Sequence, residues 1–162
     1  LTNQKTKTIR DLLKSLKDKN KHLSLNYIKK YRDDKIYQEL LPYKGIGLKT
    51  ISCVLAFGLG RNVFPVDTHV HRLTNRLGLI KTSSPDKTFQ KIKDLIPAKK
   101  RFLFHTLLIR FGRKICKSNN PLCSKCILYD YCVFPDKEKF AGISMYRRAN
   151  PKDNNFIILE HI

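Results

Sequence analysis

Two groups that could act together on one bond, Lys49 and Asp67, stand eighteen positions apart. Lys49 comes two residues after the turn Gly45-Ile46-Gly47, at the start of a segment with helical periodicity. A cation is disfavoured at a helix N-terminus, and Ile51, Cys53 and Val54 neighbour it in sequence. Both effects push a lysine towards its neutral amine, the form that attacks carbon. The plain alternative is a surface lysine facing solvent. Asp67 opens a second helical segment, Thr68-His69-Val70. Aspartate is a preferred N-cap, so capping alone accounts for it. Capping and chemistry are compatible, because helix N–H donors hold a carboxylate ionised and oriented. His69 fits packing in that first turn better than a role in the chemistry.

The glycines beside Lys49 suit a second task. Glycine serves where backbone adopts positive φ or comes close to a ligand. Gly45 and Gly47 would expose the first N–H groups of the helix, which together with the helix dipole suit a phosphate. Ile46 can tuck inward and fix the turn, and Lys44 adds charge nearby. Many helix–helix turns use glycine only to turn, so on residue types alone the phosphate reading stands beside a structural one. Arg72 and Arg76, one turn apart on the helix after Asp67, either neutralise further phosphates or form a solvated basic face.

Cys116, Cys123, Cys126 and Cys132 follow the pattern C-x6-C-x2-C-x5-C. Four cysteines this close read as a metal or cluster site in a reducing compartment, not a disulfide framework. Zinc and [4Fe–4S] both accept four thiolates, and the spacing leaves both open. Lys114, Lys117 and Lys125 flank the sulfurs with positive charge. Cys53 reads as a small core hydrophobe.

The elements that must position these groups read as all-α. Ile9, Leu12, Leu13 and Leu16 form one face of a helix over 5–18, and Leu25, Ile28 and Tyr31 repeat the pattern. Asp33 and Asp34 suit the cap of a short helix to Leu40, stopped by Pro42. A buried helix is predicted from Gly47 to Leu59. An extended link, Val63-Phe64-Pro65-Val66, leads to a helix from Asp67 to Leu77. Further helices are predicted over 84–95 and over 99–114, the last with Phe102, Leu107, Leu108 and Phe111 inward. Phe156 to Leu159 could form an isolated strand in an otherwise polar tail. Three regions result: a helical region 1–114 with the hairpin at about 36–59, a cysteine loop 115–134, and a tail 135–162.

Thirty-three Lys and Arg against 13 Asp and Glu give a net charge of +20. That excess predicts attraction to a polyanion, with nucleic acid favoured. No apolar run approaches membrane-spanning length, and no membrane partner or signal peptide is expected.

Gly45-Ile46-Gly47-Leu48-Lys49-Thr50, followed by Val66-Asp67-Thr68-His69, closely resembles the helix-hairpin-helix DNA glycosylases, specifically the endonuclease III family. The resemblance covers about residues 1–132. It implies a glycosylase fold that is incomplete, with a C-terminal [4Fe–4S] loop held by the four cysteines. It also implies Lys49 as Schiff-base nucleophile, Asp67 as the essential carboxylate, and phosphate contacts from the hairpin. The implied activity is base-excision repair by a DNA N-glycosylase and AP lyase. It would remove damaged pyrimidines from double-stranded DNA and nick the strand by β-elimination. A monomer is expected, cytoplasmic in a prokaryote and nuclear or organellar in a eukaryote. Matching backwards from the hairpin, about the first third of the family's usual chain has no counterpart. A mismatch or methylated-base glycosylase, a non-catalytic DNA-binding module and a zinc-bound structural protein remain as alternatives.

Overall fold

The computed structural model describes residues 2–142, with the side chains of 2–4 and 20 excepted. The described residues are helical and contain no strand. Seven α-helices follow in order: α1 (Thr2–Asn20), α2 (Asp33–Leu40), α3 (Leu48–Cys53), α4 (Thr68–Arg76), α5 (Pro85–Ile92), α6 (Arg101–Lys114) and α7 (Lys137–Ala141). The chain divides into two compact units, Leu1–Asp67 with Phe89–His105, and Thr68–Thr88 with Thr106–Ile162. The divide falls inside α5 and α6.

In the first unit, Ile28, Ile36, Leu40, Ile51 and Leu55 form the centre of a hydrophobic core. Three of these five come from α2 and α3, and Leu55 from the turn that directly follows α3. The two arms of the hairpin are thus held by apolar burial, each side chain contributing roughly 1.5–3 kcal/mol. Tyr37 and Ser52 tie the arms with a 2.7 Å hydrogen bond, and Ser52 also donates to the Leu48 carbonyl. Arg61 donates to the carbonyls of Lys29 and Tyr31 and pairs with Asp33 at 3.6 Å.

Three expectations need correction here. On α1, Leu16 is buried, but Ile9 and Leu13 are largely exposed. Thr8 meets the hairpin turn, so the packed line runs through Thr8, Leu12 and Leu16, four residues apart, and Ile9 and Leu13 rotate off it. Asp33 and Asp34 do not cap α2. They lie in its first turn, Arg32 holds the N-cap position, and no side chain makes the cap hydrogen bond. The helix from Gly47 to Leu59 is α-helical only to Cys53; Val54–Gly58 form a π turn. Its defining bond runs from the Leu59 N–H to the Val54 carbonyl, five residues back. Gly60, at φ +63°, then reverses the chain.

In the second unit, Val70, Leu73, Thr74 and Leu108 are buried. His71, Asn75, Thr82 and Thr88 form a connected polar web, with Thr82 and Thr88 2.6 Å apart. Gly112 lets α6 lie close against α4: an added Cβ would lie 3.0 Å from His69 Nδ1 and 3.1 Å from a Leu73 methyl. The expectation that α6 buries Phe102 fails, since that ring is half exposed. The segment 135–142, expected as part of a polar tail, contains α7. The suggested strand 156–159 lies outside the described residues.

Candidate active site

The hairpin turn is built by two glycines with different duties. Gly45 has φ +89°, a conformation that side chains resist. An added Cβ would sit 2.5 Å from Thr8 Oγ1 and 2.9 Å from Thr8 Cγ2. Rotating Thr8 only exchanges which γ atom collides. Gly45→Ala is therefore expected to destabilise the fold by about 1–3 kcal/mol, read as a lower midpoint in urea denaturation. Gly47 is the N-cap of α3 in extended conformation, and its surroundings are open. Ile46 packs against the hydrophobic core, as predicted. Its N–H donates to the Tyr43 carbonyl at 2.9 Å, closing the turn. Lys44, Gly45 and Gly47 are exposed, so their backbone is open to a bulky anion.

Lys49 is the second residue of α3, and its side chain is exposed. Its apolar neighbour Ile51 points into the core. The apolar surroundings expected for the amine are thus absent. The helix turns its greasy side inward and presents Lys49 outward, where a large substrate can reach it. Asp67 directly precedes α4 and is half buried, which is the predicted N-cap position. It follows Phe64, Pro65 and Val66, all buried, so its backbone is anchored from one side by packing and from the other by the helix.

His105, on α6, is a residue that motif and spacing do not single out. It is 2% exposed, and its Nδ1 lies 2.8 Å from the Pro65 carbonyl oxygen. Burial lowers its pKa below the ordinary histidine value; the bond to Pro65 and the charge of Asp67 raise it in part, and Lys49 lowers it further. The charges of Asp67 and Lys49 thus act on the imidazole in opposite directions. The signal in the sequence was weak: a single histidine inside an apolar helix usually packs.

The four cysteines of the second unit line one cavity with Arg76, Ile115, Pro121, Leu122, Tyr129, Phe134 and Lys137. Among the described residues no three His, Cys, Asp or Glu groups converge tightly enough for a single metal ion. Burial pushes the Cys126 thiol up to about 11, and its three fellow cysteines add to this. Cys123 is raised by burial and by Cys116 and Cys132, with Arg76 opposing. Four thiolates this close need a shared cation to coexist.

Arg72 and Arg76, expected either as phosphate contacts or as a solvated basic face, both bond to backbone carbonyls of the second unit. Arg72 donates to the carbonyls of Gly112 and Cys116 and lies 3.0 Å from His69 Nδ1. Arg76 donates to the carbonyls of Lys117 and Ser118 and approaches Cys116 Sγ at 3.4 Å. Its guanidinium stacks 4.0 Å from the centre of the Phe134 ring. Backbone carbonyls at the start of the cysteine loop are acceptors in need of donors, and α4 supplies them. His69 packs between Arg72 and Gly112, in line with its packing assignment. Lys137 closes the other end of the loop through the carbonyls of Tyr129 and Cys132.

A helical hairpin with its glycine turn, an exposed lysine in the following helix and an aspartate at the next helix start together define a class. The profile of the HhH-GPD superfamily base excision DNA repair proteins matches residues 1–98, and the chain belongs to that superfamily. Its relatives include endonucleases III. It is 43% identical over 97 residues to endonuclease III of Thermotoga maritima, covering 60% of this chain and 46% of that protein. It is 33% identical over 135 residues to endonuclease III of Sulfolobus acidocaldarius, covering 83% and 58%. The structure superposes with a TM-score of 0.64 and 30% identity on the solved structure of a non-covalent endonuclease III–DNA complex, covering 78% of this chain and 56% of that one. The chain thus spans about half the length of the relatives it matches.

Proposed function

We propose that the chain carries the reacting part of a bifunctional DNA N-glycosylase and AP lyase acting on damaged pyrimidines in duplex DNA. The observation that carries this reading is the joint placement of Lys49 and Asp67 in one compact unit with the hairpin turn. The target nucleotide is flipped out of the stack, since its sugar cannot be reached within the duplex. The hairpin turn Gly45-Ile46-Gly47, with Lys44, grips a phosphate beside it. The Lys49 amine attacks C1′; an N–C bond forms as the glycosidic bond breaks, and the base leaves with the bonding electrons. Asp67 stabilises the positive charge that develops on the sugar and helps transfer the amine proton. The resulting imine between Lys49 and the opened sugar acidifies the C2′ hydrogens. Loss of one expels the 3′ phosphate and nicks the strand.

Cys116, Cys123, Cys126 and Cys132 would hold a [4Fe–4S] cluster, which supplies structure to the loop and no chemistry on the base. The exposed Lys114, at the end of α6, and Lys117 and Lys125 on that loop add phosphate contacts. The protein works as a monomer on DNA, in the nucleoid of a prokaryote or the nucleus or an organelle of a eukaryote.

The test uses a 5′-labelled duplex with one abasic site and, separately, one with thymine glycol. Incision to a β-elimination product is expected. Tight binding to the abasic duplex with no incision would favour a non-catalytic DNA-binding module. Iron and sulfide analysis on the same sample should give four of each per chain, and zinc in their place would remove the cluster assignment.

A further inference from the structure

The crossover that delivers Asp67 is buried, and burial leaves its carbonyl groups in need of donors. Phe64 is 1% and Val66 3% exposed. The Pro65 carbonyl, two residues before Asp67, meets His105 Nδ1 at 2.8 Å. A carbonyl only accepts, so the proton must sit on Nδ1, which fixes the tautomer. Two rings lock the imidazole edge to face: Phe64 at 6.1 Å and 85°, Phe57 at 5.8 Å and 63°. The bond spans forty residues of sequence, so it joins α6 to the Asp67 crossover directly. The charged groups that bear on this imidazole are Lys49, from α3, and Asp67, from the crossover.

We propose that His105 is a positioning residue: as a neutral imidazole with its proton on Nδ1, it anchors the Pro65 carbonyl and so aims Asp67 at the reacting sugar. Neutrality matters as much as the bond. An imidazolium at this place would attract the Asp67 carboxylate and repel the Lys49 ammonium, disturbing both reacting groups through charge. Burial favours the neutral form. The inference rests on Asp67 and Lys49 being the reacting groups.

Two variants separate anchoring from filling of space. His105→Phe keeps a ring in the pocket and loses the donor. His105→Asn loses the ring and keeps an N–H that can reach a carbonyl. Single-turnover incision of the abasic duplex should fall roughly 10–100-fold in His105→Phe, the scale of a misplaced catalytic group. Duplex affinity should stay unchanged, and His105→Asn should recover most of the rate. Equal loss in both folded variants, or no loss in His105→Phe, would overturn the proposal.

A second readout does not depend on activity. Nitrogen-15 NMR of the full chain should show His105 as the Nδ1–H tautomer, neutral down to a pH below the ordinary histidine range. The Asp67 amide should exchange with solvent about tenfold faster in His105→Phe than in the wild type or His105→Asn. An Nε2–H tautomer, ordinary titration or unchanged exchange would refute the anchoring even in a chain that incises nothing. If the wild type fails to incise while these signatures hold, the proposed activity falls and the anchor stands.

Discussion

Replacing Lys49 by alanine is expected to abolish the covalent species that borohydride traps between the chain and an abasic-site duplex, and to cut incision by roughly 10³-fold or more. The side chain is exposed on the first turn of α3, and surface substitutions of this kind usually change stability by no more than about 0.5 kcal/mol. The loss is therefore chemical. Binding to an undamaged duplex should weaken only slightly, because one positive charge of many is removed. A gel of trapped complex against duplex concentration, run beside a thermal melt, reads both quantities. Trapping by the alanine variant at the wild-type level would assign the nucleophile to another amine.

The second large effect belongs to Asp67→Asn. Asparagine has nearly the same shape and is as good an N-cap as aspartate, so α4 should begin where it does now. What it lacks is the negative charge and the capacity to take a proton. Base release and incision should fall roughly 10²–10³-fold, while affinity for an abasic-site analogue and the melting temperature stay near wild type. Asp67→Ala is the informative companion: it removes the cap as well, and should add a stability loss of about 1 kcal/mol. Full activity in the asparagine variant would reduce Asp67 to a helix cap.

Much of this site was legible before the structure because its parts are local. Gly45, Ile46 and Gly47 are neighbours, and the duties of turning, packing and opening the backbone follow from residue type. The helical elements were legible for the same reason: a period of 3.6 residues fixes which side is apolar. Which part of that side is covered is a tertiary matter. Ile9, Leu13 and Phe102 carry the right periodicity and still stay exposed. Lys49 shows the converse. Apolar neighbours in sequence suggested an apolar setting, but on a helix they point elsewhere.

What sequence could not show depends on partners far along the chain. Arg72 and Arg76 have the spacing of a basic face, and nothing local reveals that carbonyls some forty residues later claim both guanidiniums. His105 is tied to a carbonyl forty residues before it. Gly112 marks a close helix approach that only the packed structure displays. Such residues set the position of the reacting groups without resembling them.

The most direct measurement is the site of covalent attachment. The wild-type chain is reduced with borohydride in the presence of an abasic-site duplex, digested with nuclease and protease, and mapped by mass spectrometry. The sugar remnant is expected on the ε-amine of Lys49, in a peptide that also contains the glycine turn. A remnant on a different lysine or on the chain's terminal amine, with Lys49 unmodified, would contradict the account.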